Sequence, residues 1–432
     1  MMEWTKHAIW WHLYPLGFTG APVHGWDGES QSDLHRLSRI EKWLDYALEL
    51  GASGIALGPI FESEKHGYDT VDYYHVDGRL GTDEDIDSLI SAAHSRGLKV
   101  MFDGVFNHVA QSFPKFREAL AEGQDSEAAG WFHLDWSGDE PTHRNFEGHD
   151  ELVALNHESP HVQQYVVDVL SHWLERGVDA WRLDAAYAVS PRFWSVVLRK
   201  VREKHSDAYF LGEVIHGEYD RIVSASTLDS VTQYELWKAI WSGLSELNFF
   251  ELSHALERHN GWLDAFVPAT FVGNHDVNRI ASVIEDERHL VHALVVLFTV
   301  GGMPMIYYGD EQAFRGVKED RVGGDDEVRP EYPESSEDLA PYGWPVFHVH
   351  QELIGVRRRH PWLYSARTET LQLTNTALLY RAFADDESIT VALNLGDEAV
   401  GYAVEGDAVI AGEAHLDGGR LSVPPHGWAI VS

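Results

Sequence analysis

The chain has 432 residues, of which 44% are hydrophobic and 12% aromatic, and it carries a formal net charge of -36 and no cysteine. This composition predicts a globular protein with more than one domain, and it excludes disulfide bonds, thiolate metal sites and cysteine nucleophiles. The negative charge argues against nucleic acid and anionic membranes as partners, because both would repel the protein, whereas a neutral substrate is unaffected.

The amino-terminal segment, Met1 to His7, leads into an apolar strand without the basic and hydrophobic regions of a signal peptide. No apolar run reaches the roughly 18 residues needed to span a bilayer. We therefore expect a cytoplasmic protein with no membrane partner. The sequence does not indicate an oligomeric state.

Short apolar strands alternate with amphipathic helices from about residue 8 to residue 360. We predict strands near residues 8–13, 53–57, 98–103, 177–184, 208–211, 230–234, 269–272 and 303–307. The predicted helices cover residues 38–50, 83–96, 160–176, 191–205, 236–258 and 287–299. This alternation predicts a parallel (β/α)8 TIM barrel. A doubly wound open sheet is the alternative, but residues 13–17 lack the glycine-rich loop that normally follows its first strand.

Two segments depart from the alternation. Residues 109–157 are polar, rich in Gly, His and Trp, and lack a clear period, which predicts an inserted domain after the third strand that builds a site or a lid. Residues 366–432 combine alternating strands with turn signals and predict a small antiparallel β domain. The barrel is then assigned to residues 1–108 and 158–365.

Four of the predicted strands end in an acidic residue: Asp103, Asp184, Glu213 and Asp276 follow the third, fourth, fifth and seventh strands. The carboxyl ends of barrel strands meet at one face, so we expect these side chains to lie close together. Arg182 lies on the same side of its strand as Asp184, and we expect it to lower the pKa of Asp184. A structural ion pair is the alternative explanation of this Arg-x-Asp taken alone.

Converging carboxylates indicate either a metal site or the cleavage of a glycosidic bond. A metal site would usually combine acids with histidines around one ion. Glycoside cleavage needs an ionised carboxylate, a protonated carboxylic acid, and negative charge near an oxocarbenium-like transition state. Asp184 suits the first role because of its arginine. Glu213, flanked by apolar residues and near two aspartates, suits the second, and Asp276 remains for the third.

These segments resemble the four short conserved regions of the α-amylase superfamily, glycoside hydrolase family 13. The matching stretches run from Asp103 to His108, from Gly177 to Asp184, over Gly212 and Glu213, and from Phe271 to Asp276. The resemblance covers about residues 8–360. Residues 146–156 are similar to the segment before the fourth strand of neopullulanases and cyclomaltodextrinases, although we expect no domain before the barrel here, unlike in those enzymes.

The resemblance implies that Asp184 is the nucleophile, Glu213 the general acid/base and Asp276 the stabiliser of the transition state. It also implies that a further set of side chains contacts the substrate or orients the carboxylates, with Tyr68 stacking under the sugar: Tyr68, Asp103, His108, Arg182, His275 and Arg329.

No cofactor is required by this chemistry, and the resemblance leaves a structural calcium open. The residues after the nucleophile are Ala185 and Ala186, where many α-amylases have a Lys-His pair whose histidine binds calcium, and this departure argues against the ion. Asn107 either ligates a metal or makes a structural hydrogen bond. The resemblance also implies a preference for α-1,4 over α-1,6 linkages, because small residues at the position of Ala185 accompany that preference in related glucosidases.

We therefore expect a retaining hydrolase of α-glucosidic bonds in short malto-oligosaccharides or related glucosyl saccharides, acting through a covalent glycosyl-Asp184 intermediate. Retention requires the carboxyls of Asp184 and Glu213 to lie about 5–5.5 Å apart. A transglycosidase or isomerase, such as trehalose synthase, would use the same acids. A catalytically inactive binding subunit is a third possibility, but the family's inactive members lack the catalytic acids that this chain retains.

Overall fold

The computed structural model describes residues 3–24, 26, 34–321 and 323–432. Met1 and Met2, part of the segment that was searched for a signal peptide, lie outside the described residues. No helix among the described residues combines the length and apolar character needed to cross a bilayer. The cytoplasmic location expected from the sequence stays a prediction.

Eight parallel strands form the centre of the molecule. They are β1 (Trp10–Leu13), β2 (Gly54–Leu57), β3 (Lys99–Gly104), β4 (Ala180–Leu183), β5 (Tyr209–Gly212), β6 (Ser230–Val231), β7 (Ala269–Phe271) and β8 (Met303–Tyr307). Each strand pairs with its neighbours in the order β6-β5-β4-β3-β2-β1-β8-β7, and a parallel bridge between Thr232 and Ala269 joins the two ends. The predicted (β/α)8 barrel is confirmed. Both faces of these strands are buried, which explains their nearly continuous apolar sequence.

Helices cover the barrel and connect its strands. They are Pro15–Phe18, Leu37–Lys42, Leu44–Leu50, Asp83–Ser95, Pro114–Glu122, Pro160–Glu175, Pro191–Arg202, Tyr219–Ser226, Tyr234–Ser245, Phe249–Trp262, Ile280–Val283, Leu290–Thr299 and Trp344–Arg359. Short 3-10 turns occupy Glu3–His7, Ala128–Trp131, Ala186–Ala188, Glu287–His289, Asp310–Gln312, Ser336–Asp338 and Pro361–Ser365. Three of the longer helices begin with a proline and the helix Trp344–Arg359 has one at its second position, where the missing N–H is not needed.

Two helices that the sequence predicts as continuous are each divided in the structure. The segment 38–50 breaks at Trp43, and the segment 236–258 breaks at Leu247, which has a left-handed φ of +51°. The Asn248 side chain then accepts a 3.2 Å hydrogen bond from the N–H of Phe250 and caps the second helix. The prediction of one helix here is wrong because periodicity does not reveal a single left-handed residue inside an amphipathic run.

The segment after β3 contains small antiparallel sheets. One has the strands His108–Ala110, His149–Ala154 and Asn145–Phe146, and a second pairs Leu134–Asp135 with Thr142–His143. Another hairpin, Phe61–Ser63 with Thr70–Val76, follows β2. Trp131 and Phe132 are buried and contact Tyr165 and Phe116, so these aromatic residues form a local core.

The carboxyl-terminal segment consists of antiparallel strands, as predicted. A five-stranded sheet contains Arg367–Leu373, Ala377–Ala384, Glu387–Asn394, Trp428–Val431 and Val409–Gly412, and a three-stranded sheet contains Val400–Ala403, Arg420–Val423 and His415–Asp417. The division of the chain at residues 108, 158 and 365 stays a prediction.

Candidate active site

An open cavity of about 600 Å³ lies where the carboxyl ends of the barrel strands meet. Its lining includes the three predicted catalytic acids, Asp184, Glu213 and Asp276. Tyr68, His108 and Arg329 also line it, whereas Asp103, Arg182 and His275 lie behind the wall and contact the lining residues. The structure therefore brings all nine predicted site residues together.

Arg182 organises three of the carboxylates. Its Nη1 donates to both oxygens of Asp103, at 2.7 and 2.6 Å, and to Oδ1 of Asp184 at 3.1 Å. Its Nη2 lies 2.6 Å from Oε1 of Glu213. Strand register explains the arrangement, because Arg182 is directly opposite Asp103 on β3. All four side chains are buried, so one guanidinium balances acidic groups from three adjacent strands.

The pKa of Asp184 differs from the sequence-based expectation. Burial raises it well above the ordinary aspartate value, and the neighbouring charge of Glu213 raises it further. Arg182 acts in the opposite direction, but its charge is shared with Asp103 and Glu213. Arg182 therefore lowers the pKa of Asp184 as expected, but the expected net low pKa is wrong, because burial and the charge of Glu213 outweigh the arginine.

Glu213 is held in a fixed orientation. Its Oε2 accepts a 3.0 Å hydrogen bond from the backbone N–H of Ala185, which has a left-handed φ of +44°. The hydroxyl of Tyr234 donates to Oε1 at 3.2 Å and accepts a 2.9 Å hydrogen bond from Nδ2 of Asn274. The residue that follows the predicted nucleophile thus positions the predicted acid/base through its backbone.

Asp276 lies in a different electrostatic environment. His275 Nε2 is 2.9 Å from its Oδ2, and Arg329 Nη2 is 3.0 Å from its Oδ1. Burial raises the pKa of Asp276, but His275 and Arg329 outweigh burial and hold this pKa well below the ordinary value. Arg329 also donates from Nε to the backbone oxygen of His275 at 2.9 Å. Asp276 is consequently ionised at neutral pH.

Tyr68 and His108 belong to the same hydrogen-bonded network. The Tyr68 hydroxyl donates to Oδ2 of Asp103 at 3.1 Å and contacts Nε2 of His275, and its ring lies parallel to the His275 ring with centroids 5.2 Å apart. Nε2 of His108 donates to the backbone oxygen of Tyr68 at 2.9 Å. Burial lowers the pKa of His108 to about 4, so this imidazole is neutral at pH 7.

Several lining residues were not singled out by sequence motifs: Glu147, His149, Tyr187, Ile215, Tyr234, Trp237 and Lys318. The Tyr187 hydroxyl donates to Oε1 of Glu147 at 2.8 Å and thereby connects the turn after β4 to the inserted segment. His149, an exposed residue of the inserted segment, also lies in the cavity wall. The position of Tyr187 shortly after β4 could have identified it as a lining residue. The inserted segment has no clear period, so the sequence does not indicate which of its residues line the cavity.

The surroundings of Asn107 bear on whether its side chain binds a metal or makes a structural hydrogen bond. The Nδ2 of Asn107 lies 3.1 Å from Nδ1 of His108, and its backbone oxygen accepts from the N–H of Leu155 at 3.1 Å. Calcium takes about six to eight oxygen ligands. In the described part of the chain, no group of three His, Asp or Glu ligands converges at Asn107. Its side chain therefore has the structural hydrogen-bonding environment that was the alternative to a metal ligand.

This chain is similar in sequence and fold to known proteins. A family model described as "Alpha amylase, catalytic domain" matches residues 13–378. The chain is 30% identical over 437 residues to a maltogenic alpha-amylase from Bacillus acidopullulyticus, which covers 94% of this chain and 72% of that protein. It is 27% identical over 428 residues to a cyclomaltodextrinase from a Bacillus species, and this match covers 93% of this chain and 74% of that protein. The chain also resembles the ligand-free structure of a cyclic alpha-maltosyl-(1→6)-maltose hydrolase from Arthrobacter globiformis, with a TM-score of 0.84 and 24% sequence identity. The match covers 100% of this chain and 99% of that chain, and it shows a likeness in fold.

Proposed function

This chain belongs to the alpha-amylase family of glycoside hydrolases, and we propose that it hydrolyses α-glucosidic bonds of short malto-oligosaccharides with retention of anomeric configuration. The main support is that one guanidinium, that of Arg182, contacts both Asp184 and Glu213 in the wall of an open cavity. A shared guanidinium keeps two carboxyls close together, and retaining enzymes need a separation of about 5–5.5 Å.

In the proposed mechanism, Asp184 attacks the anomeric carbon while Glu213 gives a proton to the leaving oxygen, and a glycosyl-Asp184 ester forms. Glu213 then removes a proton from the water that hydrolyses this ester. Asp184 and Glu213 both contact Arg182, and the mechanism requires Asp184 as the carboxylate and Glu213 as the proton donor at the start of the reaction. The negative charge of Asp276 stabilises the oxocarbenium-like transition state.

The chemistry of the cavity supports a neutral sugar as substrate. Tyr68, Tyr187 and Trp237 line it, and their rings offer apolar surfaces for the faces of glucosyl units. Two relatives are named maltogenic alpha-amylase and cyclomaltodextrinase, which supports malto-oligosaccharides as the substrate class. The α-1,4 preference, the sugar contacts of Tyr68, Asp103, His108, Arg182, His275 and Arg329, and the absence of a nucleic-acid partner stay predictions.

Product analysis tests this function. The purified protein is incubated with maltotriose, maltotetraose, a cyclodextrin, isomaltose, trehalose and sucrose, and the anomers are followed by NMR from the first turnovers. We expect the malto-oligosaccharides to be cleaved with the new reducing end released as the α anomer. Initial release of the β anomer would contradict retention, and no cleavage of any of these substrates would contradict hydrolysis. Trehalose or longer saccharides, formed with little free glucose at high maltose concentration, would instead identify an isomerase or transglycosidase.

The pH dependence of kcat/KM provides a second test. We expect kcat/KM to fall on the acid side at a pH above the ordinary aspartate pKa of about 3.9. Asp184 must be ionised to attack the substrate. Because the pKa of Asp184 is raised, its inactive protonated form accumulates as the pH falls through this raised pKa. Asp276, whose pKa is lowered, stays ionised over this range. The measurement is kcat/KM for maltotriose between pH 3.5 and about 8, and an acid limb below the ordinary aspartate value would contradict the assignment.

A further inference from the structure

We propose that Asp286, His289 and His426 form a binding site for a divalent transition-metal ion such as Zn²⁺, separate from the active-site cavity. One candidate ligand atom from each residue lies within 4.8 Å of the other two. Two imidazoles and a carboxylate are donors that these ions prefer, and a water can complete the coordination. Asp286 and His289 precede the barrel helix Leu290–Thr299, and His426 precedes the final strand, so the ion would link the barrel to the carboxyl-terminal sheet.

The spacing of the two imidazoles suits a shared cation. Nε2 of His289 lies 2.9 Å from Nδ1 of His426. Two unprotonated nitrogens repel each other at this distance, so a proton or a metal ion must lie between them. Nitrogen ligands about 2.1 Å from a tetrahedral ion are about 3.4 Å apart. The two rings would therefore separate by about 0.5 Å to admit the ion.

His426 is oriented to bind through Nδ1. Its Nε2 lies 3.0 Å from Oδ1 of Asp397, so the Nε2–H donates to this carboxylate and leaves the Nδ1 lone pair directed toward His289. Metal-binding histidines commonly donate their second N–H to a carboxylate in this way. His426 has a left-handed φ of +54°, and its backbone N–H donates to the oxygen of Gly396 at 3.2 Å. The backbone turn at His426 and the hydrogen bond to Asp397 thus orient the imidazole ring for metal binding.

Asp286 supplies the anionic ligand, and its partly exposed side chain lies on the side from which an ion can enter from solvent. Its Oδ2 lies 3.9 Å from Nε2 of His289, and its side chain is 34% exposed, whereas that of His289 is 3% exposed. Arg288 donates from Nε to Oδ1 at 2.9 Å and from Nη2 to Oδ2 at 2.6 Å. This arginine keeps the carboxylate oriented, and the second lone pair of Oδ2 is available to an ion. Its positive charge also lowers the affinity that the same ligands would otherwise have.

Metal titration of the full chain tests the site. Protein freed of metal by dialysis against a chelator is titrated with Co²⁺ and then with Zn²⁺, while visible absorption, binding heat and thermal unfolding are recorded. We expect one Co²⁺ per chain, with d–d bands that Zn²⁺ abolishes by displacement. At saturating Zn²⁺ the melting temperature should rise by roughly 3–6 °C, because the ion binds the folded state alone.

A matched pair of variants identifies the ligands. His426→Asn removes the imidazole but suits the left-handed backbone, and His415→Asn makes the same change at an exposed position in the three-stranded sheet. We expect His426→Asn to lose the d–d bands and to weaken Zn²⁺ binding by at least about 100-fold, and His415→Asn to bind normally. Equal binding by both variants, or only several weakly bound ions in the wild type, would overturn the site.

The test is independent of the proposed function. None of the three ligands lines the active-site cavity, so hydrolysis of maltotriose by His426→Asn should proceed at the wild-type rate. A tenfold or larger loss of hydrolysis in this variant, with its fold intact, would show that these residues act on the active site and would contradict a separate metal site.

Discussion

Asp184→Asn is expected to lower kcat for maltotriose by at least about 10⁴-fold, because an amide cannot form the glycosyl ester on which the covalent mechanism depends. The substitution preserves the size of the side chain and an oxygen that can accept from Arg182 Nη1, so the barrel should fold normally. Burial and the charge of Glu213 disfavour the ionised Asp184, and a neutral asparagine removes this repulsion. The melting temperature should therefore equal or exceed that of the wild type. Initial rates and thermal unfolding of the same preparation measure both effects.

Asp207→Asn is the matched control for this prediction. Asp207 is exposed and precedes β5, at the opposite end of the barrel from the cavity, and the substitution makes the same change in charge. It should leave kcat unchanged. Near-normal hydrolysis by Asp184→Asn, or an equal loss in both variants, would contradict the assignment of Asp184 as the nucleophile.

The barrel was predictable because its strands are buried on both faces and separated by amphipathic helices. Such strands leave apolar runs with clear ends, and the acids Asp103, Asp184, Glu213 and Asp276 follow four of these ends. Parallel strands deliver their carboxyl ends to one face, so the clustering of the acids follows from topology alone. The sequence could therefore identify which acidic residues lie at the site.

Contacts between strands were not predictable in the same way. Arg182 meets Asp103 and Glu213 because β4 pairs with β3 and β5 in a particular register, and a two-residue spacing within β4 gives no information about it. The pKa of Asp184 is raised rather than low because the carboxyl is buried and lies beside Glu213, and the spacing within β4 reveals neither fact. The insertion was expected to build a site or a lid, but an aperiodic segment gives no signal of which residues, such as Glu147 and His149, line the cavity.

Glu213→Gln is expected to lower kcat for maltotriose by about 10²–10⁴-fold, because a sugar leaving group needs a proton as its bond breaks. Glutamine can still accept from the backbone N–H of Ala185, but it has no proton to transfer from an acid. An aryl α-maltoside with an acidic phenol leaves without this assistance, so its first step should be affected far less. Rapid-mixing measurements of phenol release alongside maltotriose hydrolysis compare the two substrates.

The two variants of the acids should differ in the time course of phenol release. With Glu213→Gln, Asp184 still forms the glycosyl ester but no base activates the water, so we expect a burst of about one phenol per chain followed by slow turnover. Asp184→Asn should give no burst, and Glu203→Gln, an exposed control outside the cavity, should behave as the wild type. If Glu213→Gln loses activity equally on both substrates and shows no burst, Glu213 does not act as the proton donor. The carboxyl would then serve to position Arg182 and Asp184, which its contact with the shared guanidinium would also explain.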